Sequence, residues 1–237
     1  MPQNNITILS TRPLRAAVID EAAEQGVQID VQSFIETEAI QSIEVQQEIE
    51  QALIQSAIVV FTSMNAVEAV AEYMSDEMPD WMIYCIGQTT QDLVKKYFGE
   101  DCVAGTADNA ADLAELIAEE DYIDEVIFFC GDQRRDELPE VLRSNNIEVN
   151  EIMVYHTIAT PHLIDRKYNG ILFYSPSAVN SFFSNNKPGK ETYFFAIGNT
   201  TAAAIKKHSS NNIIVGDKPG KENLVEKAIN YFVNSER

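Results

Sequence analysis

The chain contains little of what defines several common classes of protein. It has only 10 Gly, 8 Pro and 3 Cys in 237 residues, too few for a collagen-like, low-complexity or disulfide-stapled protein. No apolar run approaches the length that spans a bilayer, and the first residues lack a secretory leader pattern. With 45% hydrophobic residues, the chain is instead predicted to fold around a packed core in the cytoplasm, without a membrane partner.

Positive charge is also scarce. The chain has 17 Lys and Arg residues against 37 Asp and Glu residues, which gives a formal net charge of −20. Binding to nucleic acid needs a cationic face, so no nucleic-acid partner is expected. An anionic ligand would have to be held by local groups.

Familiar cofactor signatures are missing as well. The sequence has no glycine-rich dinucleotide, P-loop or nucleophile-elbow pattern. Cys85, Cys102 and Cys130 lie far apart, and no histidine has ligand partners at metal-binding spacing. The sequence therefore gives no support for a dinucleotide site or for a zinc or iron site.

Short apolar runs alternate with longer stretches of helical spacing, which is typical of an α/β protein with mainly parallel strands. Eight helices are predicted between the strands, with Pro, Ser, Thr or Asn at their starts. Ten strands are predicted, at residues 6–10, 28–34, 57–62, 82–87, 102–104, 126–131, 147–153, 170–174, 193–198 and 213–215.

The chain repeats itself. Residues 61–67 match residues 173–179, residues 86–90 match residues 197–201 at nearly the same offset, and residues 6–37 align more weakly with residues 126–157. The order of segments is therefore A-B-A′-B′, and each A with one B holds the five strands of a flavodoxin-like doubly wound sheet. Two such domains are predicted, either contiguous or interleaved, because both partitions bury the same strands.

Small polar residues follow the strands of both repeats. In an open parallel sheet, ligands bind beyond the carboxyl ends of the strands, where helix N-termini present free N–H groups. Such an edge can bind carboxylates without net positive charge, but for any single Ser or Thr the ordinary helix cap is the favoured interpretation. The candidates are Ser63, Asn65, Thr90, Ser175, Ser177 and Thr201.

A few larger side chains are further candidates. Arg12, Arg15, Arg134 and Arg135 follow the first strand of A or A′ and could pair with ligand carboxylates, or else form salt bridges with nearby acids. Tyr155 lies at the end of A′, where its phenol could donate a proton into a cleft. The alternative for Tyr155 is packing at a strand end.

Six short motifs occur in order over nearly the whole chain: TRP at 11–13, FTSMNAV at 61–67, IGQTT at 86–90, VYHT at 154–157, YSPSAV at 174–179 and AIGNTTA at 196–202. Together these motifs resemble the uroporphyrinogen-III synthase family.

The resemblance implies two similar α/β domains joined by a two-stranded linker, with the active site in the cleft between them. It selects the interleaved partition, in which residues 1–36 and 159–237 form one domain and residues 38–157 form the inserted one. The implied reaction starts from the linear tetrapyrrole hydroxymethylbilane, which loses water, inverts its last pyrrole ring through a spirocyclic intermediate and closes to uroporphyrinogen III. No cofactor is implied, and we expect a monomer.

Site residues carry over from the family by position. Tyr155 is the expected catalytic residue. Many relatives have a basic residue where this chain has Asn65, so one carboxylate partner differs here. The expected substrate-binding residues are Arg12, Ser63, Asn65, Thr90, Ser175, Ser177 and Thr201.

An alternative of another class is a two-lobed cytoplasmic binding protein or sensor that closes on an anionic small molecule without chemistry. The two hypotheses differ in turnover, because a receptor would return the tetrapyrrole unchanged.

Overall fold

A computed structural model describes residues 6–75, 77–218 and 220–235. The chain divides into two compact units. Residues 1–36 and 158–237 form the first, called the split unit below, and residues 37–157 form the second, called the inserted unit.

Strands and helices alternate along most of the chain. The strands are β1 (Ile6–Ser10), β2 (Val27–Val31), β3 (Ile35–Ala39), β4 (Ala57–Phe61), β5 (Trp81–Ile86), β6 (Val103–Ala107), β7 (Glu125–Gly131), β8 (Glu148–Ala159), β9 (Gly170–Phe173), β10 (Tyr193–Ala196) and β11 (Ile213–Val215). The helices are α1 (Ala16–Glu24), α2 (Ile43–Leu53), α3 (Met64–Ala71), α4 (Gln88–Phe98), α5 (Ala110–Ala118), α6 (Glu137–Ser144), α7 (Pro176–Asn185), α8 (Asn199–His208) and α9 (Lys221–Ser235).

The split unit contains a five-stranded sheet in the order β11-β10-β9-β1-β2, and all its strand pairs are parallel. Two of its central strands, β1 and β9, are buried along their whole length, because helices cover both faces of such a sheet. One core packs Ile8, Leu172 and Phe195 against α1 and α9, and another packs Phe173 and Phe194 against α7 and α8.

The inserted unit contains a six-stranded sheet in the order β3-β8-β7-β4-β5-β6. From β8 to β6 the pairs are parallel. At the outer edge, the Thr160 N–H donates to the Phe34 carbonyl and the Ile40 N–H donates to the Val154 carbonyl. The bonding partner changes from Thr160 to Val154 as the chain advances from Phe34 to Ile40. The two segments therefore run in opposite directions, and β3 is antiparallel to β8.

The sequence repeat is visible in the two sheets. Segment A supplies β1 and β2, which lie beside the strands of B′, and A′ supplies β7 and β8, which lie beside the strands of B. Apart from β3, the two sheets have the same spatial order, that of a flavodoxin-like fold. The predicted fold class of two doubly wound parallel sheets is therefore confirmed.

Three elements differ from the sequence prediction. The structure has an eleventh strand, β3, and a ninth helix, α2. The β8 strand also extends to Ala159, six residues beyond the predicted end. All three lie at an edge or on a surface: β3 has only exposed or half-buried residues, and α2 buries only Ile49 and Ala52. Periodicity is weak where little apolar surface is buried.

We expect residues 37–157 to fold when expressed alone. The two cores of this unit are built from residues between 39 and 155, so the fragment retains its buried side chains. Separated fragments made by a cut at residue 120 should not fold, because the cut divides β4 from its sheet neighbour β7. Cooperative thermal unfolding measured by circular dichroism checks this, and independently folded halves from the cut would contradict it.

Candidate functional site

Two of the helices that follow central strands are capped by serine. The Ser63 Oγ accepts the Ala66 N–H at 3.2 Å at the start of α3. The Ser175 Oγ accepts the Ala178 N–H at 3.2 Å at the start of α7. Both serines are half-buried, so the ordinary cap role is real for each, and it leaves the hydroxyl proton available to a second partner.

The helices α4 and α8 begin differently, since each has glycine at the N-cap and no side-chain cap bond. The first bonds of their helical ladders run from Gln91 to Gly87 and from Ala202 to Gly198, which leaves the preceding N–H groups without helical acceptors. A methyl group built on Gly87 or Gly198 would meet nothing within 4 Å. A side chain would therefore be unobstructed at either glycine, and the positive end of a helix dipole favours a nearby anion.

The duplicated threonines divide into an outer and an inner residue. Thr90 is 6% exposed and Thr201 is 1% exposed, whereas Thr89 and Thr200, which precede them, are exposed. The predicted ligands Thr90 and Thr201 therefore direct their side chains inward. Helical spacing indicates this inward orientation for Thr90. Residues 90, 94 and 98 share the buried face of α4, as residues at positions i, i+4 and i+8 of a helix do.

Asn65 and Ser177 also lie in the first turns of their helices. Each is half-buried. Ser177 Oγ lies 2.9 Å from Ser175 Oγ, and either hydroxyl can be the donor. In the split unit the structure therefore brings this predicted pair together. Asn65 is the second residue of α3, next to the Ser63 cap.

Tyr155 reaches across the end of β7. It lies on β8 in register with Gly131 of β7, just after an irregularity in the ladder. The Tyr155 hydroxyl accepts a hydrogen bond from the Ser63 Oγ at 3.0 Å, although Ser63 follows β4, on the far side of β7. A methyl group on Gly131 would lie 2.5 Å from Cε2 of Tyr155 and 2.8 Å from Cε1, so only glycine leaves room for this ring.

The end of β7 also holds the backbone around Tyr155. The Asp132 N–H donates to the Tyr155 carbonyl at 3.2 Å, and the Asp132 Oδ1 accepts the Thr157 N–H at 2.9 Å. His156 Nδ1 lies 3.8 Å from the other carboxylate oxygen of Asp132. The backbone of residues 155–157 is therefore bound to Asp132, the residue that directly follows β7, which restrains the position of the tyrosine.

The split unit offers a second tyrosine at its carboxyl edge, but a buried one. Tyr174 is 7% exposed, and its hydroxyl accepts a hydrogen bond from Ser10 at 3.3 Å. Burial raises the pKa of Tyr174 to about 12, against smaller lowering effects of the Ser10 hydrogen bond and the Arg12 charge. It is therefore a poorer proton donor than an exposed phenol.

The candidate arginines differ in their partners. Arg15 pairs with Glu222 at 2.6 Å, and Arg134 pairs with Asp136 and Glu151, so the salt-bridge alternative holds for both. Arg12 is exposed and forms no ion pair with a carboxylate within the described ranges. It remains the arginine candidate for an external anion.

The cysteines show no sign of chemistry. Burial raises the pKa of the Cys85 and Cys130 thiols to about 11, which disfavours the reactive thiolate. In the part of the chain that the structure describes, no group of three or more His, Cys, Asp or Glu side chains could hold a metal ion. Within the same residues, no helix is both long and apolar enough to cross a membrane.

Gly131 and Asp132 are the site residues that the sequence reasoning missed. Gly131 is the last residue of β7, and Gly87 directly follows β5 in the same way. A glycine directly after a buried strand indicates close approach of another group. That signal was present in the sequence, but the approaching group here is a tyrosine of the same chain.

Comparisons with known proteins agree on one family. The family model described as uroporphyrinogen-III synthase HemD matches residues 17–226. The uroporphyrinogen-III synthase of Saccharomyces cerevisiae is 22% identical over 202 residues, which cover 71% of this chain and 74% of the yeast protein.

Solved structures show the same fold. A mutant uroporphyrinogen III synthase of Thermus thermophilus matches with a TM-score of 0.64 at 13% identity, over 98% of this chain and 100% of that one. The uroporphyrinogen-III synthetase of Helicobacter pylori matches with a TM-score of 0.64 at 16% identity, over 95% and 99% of the two chains. The fold is therefore shared over essentially the full length of both structures.

Proposed function

We propose that this chain, which belongs to the uroporphyrinogen-III synthase family, closes hydroxymethylbilane to uroporphyrinogen III. The reaction removes the terminal hydroxyl as water, inverts the last pyrrole ring through a spirocyclic intermediate and joins the two ends of the linear tetrapyrrole. The observation that carries the site assignment is the contact of Tyr155 with Ser63 across Gly131.

The proposed proton donor is the Tyr155 hydroxyl. The Ala66 N–H donates to Ser63, and Ser63 donates to Tyr155, so the phenol accepts one bond and keeps its own proton for another partner. We propose that it donates this proton, or a hydrogen bond, to the departing hydroxyl of the substrate.

We propose that the substrate carboxylates bind at the helix N-termini. The open starts of α4 and α8 offer N–H groups, so Thr90 and Thr201 would act through their backbone rather than through their buried hydroxyls. Ser175, Ser177 and Asn65 would add neutral hydrogen bonds, and Arg12 would add a charged one.

Positioning is the larger part of the proposed catalysis. Loss of the hydroxyl is assisted by the electron-rich pyrrole. Without the enzyme, the tetrapyrrole would close without inversion of its last ring. The protein must therefore hold the two ends of the tetrapyrrole in the strained geometry that leads to inversion. Fixed helix ends and a tyrosine fixed by β7 suit this task.

We also propose that the enzyme is a cytoplasmic monomer. Cys85, Cys102 and Cys130 are free thiols, which suits a reducing compartment.

The test is to give freshly prepared hydroxymethylbilane to the purified protein and to separate the product isomers by chromatography. We expect the type III isomer, with activity that survives a chelator. Type I product alone, as in a reaction without enzyme, would contradict the proposed function, as would recovery of bound but unchanged substrate.

A further inference from the structure

The β8 strand has one residue more than β7 just before Tyr155. Cys130 of β7 pairs with Met153, but the next residue, Gly131, pairs with Tyr155. Val154 therefore has no counterpart on β7, as in a β-bulge, and bulges beside functional sites re-aim side chains. The extra residue changes which face of the sheet Tyr155 points to.

The effect of the bulge is visible in the core of the inserted unit. Successive side chains of a strand point to opposite faces, yet Val154 and Tyr155 both pack in one core. That core also contains Phe61, which lies two residues before Ser63. In a regular ladder Tyr155 would point to the opposite face. Its 3.0 Å hydrogen bond from Ser63 therefore depends on the bulge.

The carboxylate of Asp132 holds β8 directly after the bulge. The chain turns after Gly131, the last residue of β7, where the Arg134 N–H donates to the Gly131 carbonyl at 3.2 Å. The Asp132 Oδ1 accepts the Thr157 N–H at 2.9 Å, as a strand carbonyl would if β7 continued. The Asp132 N–H also donates to the Tyr155 carbonyl at 3.2 Å. One residue thus makes both bonds that keep the shifted register.

The other carboxylate oxygen of Asp132 also has partners within the inserted unit. The Gln133 amide donates to Oδ2 at 3.3 Å, and His156 Nδ1 lies 3.8 Å from the same oxygen. An acid is unexpected at an edge proposed to bind carboxylates, because like charges repel each other. These internal contacts give Asp132 a role that needs no contact with substrate.

We propose that Asp132 is a positioning residue for the proposed reaction. Its carboxylate holds the bulged register of β8, and this register directs the Tyr155 hydroxyl towards Ser63, the position from which it is proposed to donate its proton. Asp132 thus acts through Tyr155 and not on the reacting atoms. The effect on kcat rests on the proposed function, whereas the effect on the Tyr155 ring is independent of the reaction.

The kinetic test compares Asp132→Ala with Asp132→Asn. Both remove the charge, but only the amide keeps an oxygen that can accept the Thr157 N–H. We expect Asp132→Ala to lower kcat roughly five- to tenfold with KM nearly unchanged, because a misplaced catalytic group slows the chemical step. Asp132→Asn should retain kcat within about twofold. The control Asp80→Ala removes the acceptor of the Ser56 hydroxyl just before β5, at the opposite edge of the sheet, and should leave kcat unchanged.

A double variant tests whether Asp132 acts through the tyrosine hydroxyl. In a Tyr155→Phe background, Asp132→Ala should lower kcat no further, because the hydroxyl that it positions is already absent. A further loss of kcat in the double variant would overturn the proposal, as would equal kcat values for Asp132→Ala and Asp132→Asn.

Fluorine NMR of the substrate-free protein separates this inference from the proposed function. With all 9 tyrosines replaced by 3-fluorotyrosine, the signal that is absent from Tyr155→Phe reports on the Tyr155 ring. We expect this signal to move or split in Asp132→Ala and to keep its position in Asp132→Asn and Asp80→Ala. If Asp132→Ala shows no folding transition in a thermal melt, Asp132→Ser takes its place, since the serine oxygen lies one atom short of Oδ1.

The two readouts give distinct outcomes. If the Tyr155 signal moves but the unchanged protein forms no type III isomer, the proposed reaction is wrong and the positioning of Tyr155 by Asp132 stands. An unmoved signal in an active enzyme would reject the positioning role alone.

Discussion

Replacing Tyr155 with phenylalanine is expected to lower kcat roughly ten- to a hundredfold. General acid catalysis is worth about 10²–10⁴-fold, and the pyrrole already activates the leaving hydroxyl, so the effect should fall at or below the low end. The variant keeps the ring that lies over Gly131 and loses only the hydroxyl. KM and the melting temperature should therefore change little, and steady-state kinetics with thermal melts will measure all three.

Three further variants separate the role of the Tyr155 hydroxyl from that of its neighbours. Tyr174→Phe removes a buried phenol from the other unit, together with its bond to Ser10, and should leave kcat near its original value. Ser63→Ala removes both a helix cap and the bond to Tyr155, so it should lower activity several-fold at most. Ser42→Ala removes a comparable cap, on the Val45 N–H at the start of α2, without touching Tyr155. Full activity in Tyr155→Phe would leave this residue a packing role only.

The fold was predictable wherever burial leaves a pattern in the sequence. Strands such as β7, whose residues 126–131 are all buried, appear as continuous apolar runs between polar segments. The repeat then gave the number of sheets, because each half supplies matching elements. What the repeat could not give was the partition, since contiguous and interleaved domains use the same strands.

Edge elements escaped prediction for a physical reason. The β3 sequence, Ile-Glu-Thr-Glu-Ala, has no buried residue, and its strand conformation depends on pairing with β8. The same holds for the end of β8, from residue 156 onward, where every side chain is exposed or half-buried. Local sequence carries little information about a strand that is stabilised mainly by its neighbour.

The sequence predicted which loops carry the candidate site residues, but it did not predict which of their side chains are in contact. Ser63 and Tyr155 are 92 positions apart, and each was a candidate for its own reasons. Their hydrogen bond depends on β7 lying between them and on Gly131 leaving that strand end uncovered, neither of which follows from the motifs.

Gly131→Ala is expected to be the most damaging single-methyl change at this edge. The added methyl group would lie within 2.8 Å of Tyr155 Cε1 and closer to two other ring atoms, which is shorter than any ordinary carbon contact. Overpacking of this kind costs about 1–3 kcal/mol of unfolding free energy. Because the ring must move away from Ser63, kcat should also fall at least as far as in Tyr155→Phe.

A double-mutant cycle tests whether the ring is the cause. In a Tyr155→Ala background the space above Gly131 is empty, so adding Gly131→Ala should cost much less stability and lower kcat no further. Gly198→Ala is the matched glycine control for stability, since a methyl group there meets nothing within 4 Å and its φ of −168° is extended backbone. Denaturant unfolding of the four cycle members gives the coupling energy, which we expect to be about 1–2 kcal/mol. If Gly131→Ala lowers the unfolding free energy equally with and without the Tyr155 ring, the loss arises in the β7 backbone. The position of Tyr155 would then not depend on glycine at residue 131.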